Sequence, residues 1–399
     1  MLPTAEAGLG TGTRTAPAAV LLPANPHANY LAHKEEIDRA VSTVLESGWY
    51  ILGQELGRFE AEFAVYIGAA ETVGVGNGTD ALQLALRACG VGPGDGVITV
   101  SHTAVATVCA IQLSGATPIL ADIDPATFTI DLNRVEDILR SDGSRRVKAI
   151  VPVHLYGHPA DMAGVMDLAG RHDLFVIEDC AQAHGARWQN RKVGSFGHFG
   201  AFSFYPTKNL GALGDGGALV TSHAELAQKA RELRQYGWKE RYISDAHGMN
   251  TRLDELQAAI LRVKLRYLDE ENDRRRQIAA RYSRLLSGSA SRLPRESDAA
   301  EHVYHQYVVR SLQRDNLRAF LKRNSVETAI LYPVPVHLQR GYRETEVGAG
   351  GMHETERACR EILSLPLYPE LTDAQVSRVA EITIAGMRDE VGTGANGAG

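Results

Sequence analysis

The stretch "FSFYPTKNLGALGDGGALV" sets a lone lysine, Lys208, between an apolar-aromatic run (Phe202 to Pro206) and a turn rich in glycine (Gly211, Gly214, Gly216, Gly217). Lysine ordinarily decorates solvated surfaces and is rarely buried unless paired. In such a setting it is either an odd loop residue or an amine kept out of water for its chemistry, because desolvation lowers a lysine pKa and frees the lone pair near neutral pH. A second candidate is Asp179, which closes the apolar run "LFVIED". Open α/β sheets present ligand-facing residues at that position. The same aspartate also suits a helix N-cap, with Gln182 three residues on to complete a capping pair. A third candidate is "VGVGNGTDALQLAL", where a strand-like piece ends in Gly76 and Gly78 and a helix opens at Thr79 with Asp80 in its first turn. Free N–H groups and the helix dipole make such a start an anion site, and a tight glycine connection accounts for it equally well.

The G-x-G pattern invites a dinucleotide-binding reading, which requires an acidic residue roughly 20 positions on, closing the second strand. Position 98 lies inside "GVITV", and Asp95 precedes that strand. The phosphate-loop pattern G-x-x-x-x-G-K-[ST] is absent. Placed together at one sheet edge, a phosphate site, a carboxylate and a buried lysine match the needs of pyridoxal 5′-phosphate. Its phosphate takes a helix N-terminus, its pyridine nitrogen takes a carboxylate, and its aldehyde takes a lysine amine as a Schiff base.

The elements that must position these groups are legible as an alternation. Short, β-branched runs at "GVITV" (Gly96–Val100), "TPILAD" (Thr117–Asp122), "VKAIVPV" (Val147–Val153), "LFVIED" (Leu174–Asp179), "GAFSF" (Gly200–Phe204) and "GALVT" (Gly217–Thr221) read as strands covered on both faces. Between them "TDALQLALRAC" stripes Leu82, Ala85, Leu86 and Cys89 on one helical face, and "HPADMAGVMDLAGRH" is similar. Alternating strands and helices give an α/β fold with a doubly wound, mostly parallel sheet. Beyond Ser222, "TRLDELQAAILRVKLRYLDEEN" reads as one long amphipathic helix, and from about residue 276 a smaller α+β domain follows, with "HVYHQYVVR" as its clearest strand. The expected division is a disordered segment 1–23, a large domain 24–275, a small C-terminal domain 276–389 and a disordered tail 390–399.

The chain of 399 residues is 44% hydrophobic and 23% charged, ordinary for a globular protein. With 42 Lys+Arg against 48 Asp+Glu the net charge is −6, which argues against a nucleic-acid partner. The arginine-rich "DRRRQIAARYSRLL" follows acidic "LDEEND" and reads as a solvated helix face. Cys89, Cys109, Cys180 and Cys359 are scattered and form no metal or disulfide pattern, as in a reducing compartment. The N-terminus has no signal-peptide pattern, and no stretch approaches the roughly 18 apolar residues of a membrane span. A cytoplasmic location is expected.

"GNGTDALQLALRA", "VPVHLYGHPADM", "VIEDCAQAHGA", "FSFYPTKNLGALGDGGALVT" and "GMNTRLDELQAAILRVKL" closely resemble the sugar-nucleotide aminotransferases of the DegT/DnrJ/EryC1/StrS family, from about Asn25 to Tyr368. The resemblance implies the fold-type I aminotransferase architecture and a homodimer with active sites at the subunit interface. It implies Lys208 as the Schiff-base lysine, Asp179 as partner of the pyridine nitrogen and Gln182 as donor to the cofactor's ring oxygen. Gly78, Thr79 and Ser203 match phosphate contacts, and Asn250 matches an asparagine reaching the phosphate from the neighbouring subunit. Tyr332 and His337 in "YPVPVHLQ" match positions near the sugar, though a tyrosine and a histidine flanked by prolines also serve turns. Lys239 and Tyr242 in "RQYGWKERY" either meet the diphosphate or belong to a solvated loop. In "VSHTAVAT" the chain departs from the pattern: many relatives carry an aromatic at the position of Ala104 to stack on the cofactor, so His102 or another side chain must cover that face.

The function so implied is transfer of an amino group from glutamate to a nucleotide-linked, dTDP-type 3-keto-6-deoxyhexose, as in antibiotic amino-sugar biosynthesis. The alternatives are the same reaction at C4 of a 4-keto sugar, and a non-catalytic sugar sensor. Lys208 argues against the sensor, and it excludes the dehydratase branch, in which histidine replaces the lysine.

Overall fold

The computed structural model describes residues 20–143, 146–289 and 291–394. All six runs expected as strands enter one eight-stranded sheet. Its first seven members in chain order are β1 (Glu71–Val75), β2 (Gly96–Val100), β3 (Thr117–Ala121), β4 (Val147–Ile150), β5 (Phe175–Asp179), β6 (Phe199–Ser203) and β7 (Gly217–Thr221). Farther along, β8 (Tyr307–Arg310) and β10 (Ile362–Leu365) pair antiparallel with each other, while the intervening β9 (Glu346–Val347) returns to the large sheet beside β3. The spatial order is β1-β7-β6-β5-β4-β2-β3-β9. Only β7 runs antiparallel to its neighbours within this sheet. The remaining pairs are parallel, so β2 to β6 all end on the same edge.

The two-residue period of the strands sorts their side chains between two apolar layers. Val97, Ile177, Ala201 and Leu219 face α4 (Gly78–Ala88), α5 (Val105–Leu113) and α8 (Ala224–Leu233). Ile98 and Val176 face the opposite way, toward α6 (Leu132–Ser141) and α7 (Met162–His172). On that second face Phe202, Ala218 and Val220 pack under α3 (Gln54–Ile67) and α9 (Glu255–Leu265). Short α1 (Pro26–Ala32) and α2 (Lys34–Ser47) precede them. A separate core gathers β8, β10, α10 (Leu268–Leu285), α11 (Arg314–Arg323) and α13 (Asp373–Gly394) around Tyr282 and Tyr307; α12 (His353–Glu361) leads into β10.

Three details differ from the expectations. The helix expected to be continuous is two, α9 and α10, broken at Arg266 and Tyr267. Tyr267 stacks on His33 with ring centroids 4.1 Å apart, and its hydroxyl donates to Glu36, which ties the break to α2. Leu21, placed in the segment expected to be loose, is buried and bridges Val326 in parallel; its N–H donates to Ser325 O at 3.0 Å. The expected tail begins inside α13; residues 1–19 and 395–399 of the two loose segments lie outside the described residues. Among the described residues no helix is long and apolar enough to cross a membrane.

A helix start leaves N–H groups without intrahelical acceptors. For α3 they are met from afar, because the buried Glu255 carboxylate accepts from Gly53 N (2.8 Å), Glu55 N (2.9 Å) and Leu56 N (3.0 Å). Removing it strands three donors. Glu255→Ala is expected to cost about 3 kcal/mol, read as a lower midpoint of urea unfolding; an unchanged midpoint would show the cap to be without weight.

Candidate active site

The carboxyl edge of the parallel strands carries the chemistry. Asp179 is the last residue of β5 and is buried. Its Oδ2 accepts from Thr107 Oγ1 at 2.8 Å and its Oδ1 from Ala181 N at 3.1 Å. No helix starts there: residues 181–182 and 184–185 are turns, so the capping reading of Asp179 and Gln182 falls. Burial raises the Asp179 carboxyl above its usual value, while the Thr107 hydroxyl, the Ala181 N–H and the charges of Lys208 and His154 oppose that rise. Lys208 follows β6 in a turn held by its N–H to Tyr205 O at 2.8 Å. Its amine lies half-buried, surrounded by protein on most sides, and burial pushes it down to about 8 against the opposing pull of Asp179.

The cradle beside them is made by β1, α4 and β6. Asn77 caps α4 through Oδ1 and Asp80 N at 2.9 Å. The N–H groups of Gly78 and Thr79 find no acceptor among the described residues. A Cβ on Gly78 would lie 2.7 Å from Ser203 Cβ and 3.3 Å from its hydroxyl, so only glycine lets the helix start meet the end of β6. The turn is braced from outside: Thr251 Oγ1 accepts from Gly76 N at 2.8 Å and donates to Asp80 Oδ2 at 2.6 Å.

Gln182 joins this edge to the C-terminal part of the chain. Its Oε1 accepts from Tyr156 N at 2.7 Å and its Nε2 donates to Tyr332 Oη at 3.1 Å. Burial, reinforced by Asp179, pushes the Tyr332 phenol up to about 12. His337 is spent on the fold, with Nδ1 2.7 Å from Ser101 Oγ and Nε2 3.4 Å from Glu356. His102, offered as a cover for the cofactor ring, is fully buried between Tyr156 (2.8 Å to its hydroxyl) and Cys359 (3.4 Å). Asn250 is exposed, and its side chain has no hydrogen bond among the described residues; its backbone bridges Gln235. Lys239 and Tyr242 lie on the hairpin Trp238–Glu240 and Ile243–Ser244, where Lys239 pairs at the surface with Asp245 at 3.4 Å. No bond joins either residue to the Lys208 cluster among the described residues. Behind β5, buried His154, Glu178 and Cys180 come within 4.8 Å of one another. Glu178 accepts from Gly194, Phe196 and Gly197 N–H groups and meets His154 Nε2, so its carboxylate is consumed by the fold.

The side chains present fit pyridoxal 5′-phosphate. Donors without acceptors and a serine hydroxyl suit its phosphate, Asp179 suits a protonated pyridine nitrogen, and Lys208 is a depressed amine within reach of the same edge. Residues 32–383 match the DegT/DnrJ/EryC1/StrS aminotransferase family. The chain belongs to that family. It is 46% identical over 355 residues to the dTDP-3-amino-3,4,6-trideoxy-alpha-D-glucose transaminase of Streptomyces venezuelae, covering 89% of this chain and 93% of that one. It is equally 46% identical over 351 residues to the "Pleiotropic regulatory protein" of Geobacillus stearothermophilus, covering 87% and 93%. Among solved structures, S. venezuelae DesV in complex with a ketimine intermediate superposes with a TM-score of 0.89 at 44% identity, covering 92% of this chain and 98% of that one. The Bacillus subtilis protein ntda with bound cofactor PMP gives 0.84 at 30%, covering 94% and 86%. This family member thus combines the aminotransferase fold with the lysine, carboxylate and cradle described above.

Sequence reasoning missed Thr107, Tyr156 and Thr251. Thr107 is a buried polar residue in the mostly apolar helix "VATVCAIQL", which is the one signal that could have marked it.

A neutral amine reacts with aldehydes and a protonated one does not. Reductive methylation of the apoprotein by formaldehyde, followed at the Lys208 peptide by mass spectrometry, should rise with pH about a midpoint near 8, below the ordinary 10.5. Asp179→Asn removes the anion that favours the charged amine, so the midpoint should move lower still. A midpoint near 10.5 in the wild type would contradict the burial reading.

Proposed function

We propose that this enzyme moves an amino group from glutamate to the 3-keto group of a dTDP-linked 6-deoxyhexose, with pyridoxal 5′-phosphate as cofactor. The carrying observation is Lys208, an amine lowered to about 8 that faces a buried carboxylate beside helix N–H donors with no acceptor among the described residues. The sugar position rests on the relatives: the S. venezuelae protein and a 46% identical protein of Aneurinibacillus thermoaerophilus are both named as transaminases for dTDP-3-amino sugars.

When bound, the cofactor supplies an aldehyde for a lysine amine and a pyridinium ring that withdraws electrons from the reacting carbon. The chain's part is binding, orientation and proton transfer. Gly78, Thr79 and Ser203 bind the phosphate. Asp179 holds a negative charge against the pyridine nitrogen and keeps it protonated. Gln182 donates to the ring oxygen, a role that needs its amide to turn from Tyr332 or share its second hydrogen. Lys208 Nζ, once a neutral amine, would serve as the general base that takes the proton from the donor's Cα and, protonated, as the general acid that gives it back. The net exchange would balance without another reagent: glutamate would become its 2-oxo acid and the sugar ketone an amine.

The reading includes a homodimer with shared sites. Trp49 (65% exposed), Tyr50, Tyr236 and Tyr242 (72% exposed) are exposed aromatic side chains around one groove, which Lys239, Glu240, Arg241 and Arg252 also line; exposed aromatics of this kind suit a subunit contact. Asn250, exposed and without a side-chain hydrogen bond among the described residues, would reach a phosphate across such an interface. The four unpaired cysteines suit a reducing cytoplasm. A purely regulatory role, as the name of the Geobacillus relative suggests for that protein, leaves the depressed amine without a purpose.

Incubation with glutamate and a panel of dTDP-linked 3-keto and 4-keto 6-deoxy sugars, read by mass for a ketone-to-amine exchange, should show exchange with the 3-keto members. Exchange only with 4-keto members would move the reaction to C4. Lys208→Ala should lose the visible absorption of the bound cofactor and all turnover; turnover by that variant would exclude the assignment.

A further inference from the structure

Asp179 is held by a threonine from a helix on another part of the sheet edge. Thr107, in the first turn of α5 and buried, donates to Asp179 Oδ2 at 2.8 Å. Its own oxygen lies 2.9 Å from the Thr103 hydroxyl, also buried. A hydroxyl has one hydrogen, and an ionised carboxylate only accepts. Thr107 therefore spends its hydrogen on Asp179, and the second contact forms only if Thr103 donates to Thr107. The chain runs Thr103 to Thr107 to Asp179, and its direction is set by the charge at its end. A threonine in a helix more commonly turns its hydroxyl back to the carbonyl four residues earlier; here it is aimed across to another element.

Resting on the pyridoxal phosphate reading above, we propose that Thr107, supported by Thr103, is the positioning residue that orients Asp179 and keeps it ionised against the cofactor's ring nitrogen. With Thr107 on one oxygen and Ala181 N–H on the other, the carboxylate is fixed in plane and two of its roughly four acceptor positions stay free for a further N–H. Linked hydroxyls polarise one another in a low-dielectric interior, so the second threonine strengthens the first. The other titratable groups around the carboxylate are Lys208 from the turn after β6, His154 from the segment after β4, Tyr332 from the C-terminal part and the Cys180 thiol. Of these, Lys208 and His154 support its charge, but Thr107 has the largest opposing effect against burial.

The test uses apoprotein loaded with pyridoxal phosphate carrying 15N in its ring. The 15N shift reports ring protonation against pH, and titration gives the dissociation constant; neither depends on turnover. Thr107→Val, matched in shape, should let the ring nitrogen lose its proton at lower pH than in the wild type and weaken binding ~10-fold or more. Thr107→Ser should restore wild-type behaviour. Thr103→Val should shift the ring titration in the same direction by less. If Thr107→Val titrates and binds like the wild type, the inference is overturned. If that variant does not fold, Thr103→Val decides: a shift in the same direction supports the chain, and wild-type behaviour overturns it. Failure of the wild type itself to bind the cofactor at Lys208 would instead sink the functional reading, and this inference with it.

Discussion

The site depends on two opposite charges that burial disfavours and that each make the other tolerable. Water stabilises an ammonium and a carboxylate separately, and removing it lowers the amine and raises the acid. Lys208 and Asp179 show both movements, and in each the partner's charge works against the shift. Neither group would be placed at a sheet edge for stability alone, since a well-packed apolar pair costs less. What the arrangement provides is an amine ready to lose its proton and a carboxylate ready to hold one on another group.

The fold gives this pair its geometry by using strand ends from different parts of the chain. Asp179 closes β5, Ser203 closes the adjacent β6, and the α4 start follows β1 two strands away, beyond the single antiparallel strand β7. Because β5 and β6 are parallel neighbours with Asp179 opposite Ala201, their ends lie side by side. Gly217 at the start of β7 passes so close to Asn77 that a Cβ there would meet Asn77 O at 2.4 Å. The turn at the start of α4 is thus a place where three strands come nearer than side chains allow. The C-terminal part closes the site through Tyr332 on Gln182 and also lends β9 to the large sheet.

Strands covered on both faces were legible because their apolar runs leave no other place to go, and the recognised motifs led to Lys208, Asp179, Gln182 and the α4 turn. Less visible was anything decided by a distant partner. The break at Tyr267 depends on His33 and Glu36, more than 200 residues away, and no local pattern signals it. Burial of Leu21 depends on Val326 and Ser325. His337 and His102 look like site residues by type, yet Ser101, Glu356, Tyr156 and Cys359 occupy their ring nitrogens. Thr107 was passed over for the converse reason: its polarity in a mostly apolar helix hints at a partner but does not name the carboxylate it faces.

The central claim is that one amine, at position 208, holds the cofactor. Protein loaded with pyridoxal 5′-phosphate, reduced with borohydride and digested, should yield the cofactor's mass on the peptide containing Lys208 and on no other lysine peptide. Label on Lys264, a buried lysine whose amine burial also pushes down to about 8, or label spread over surface lysines, would contradict the account.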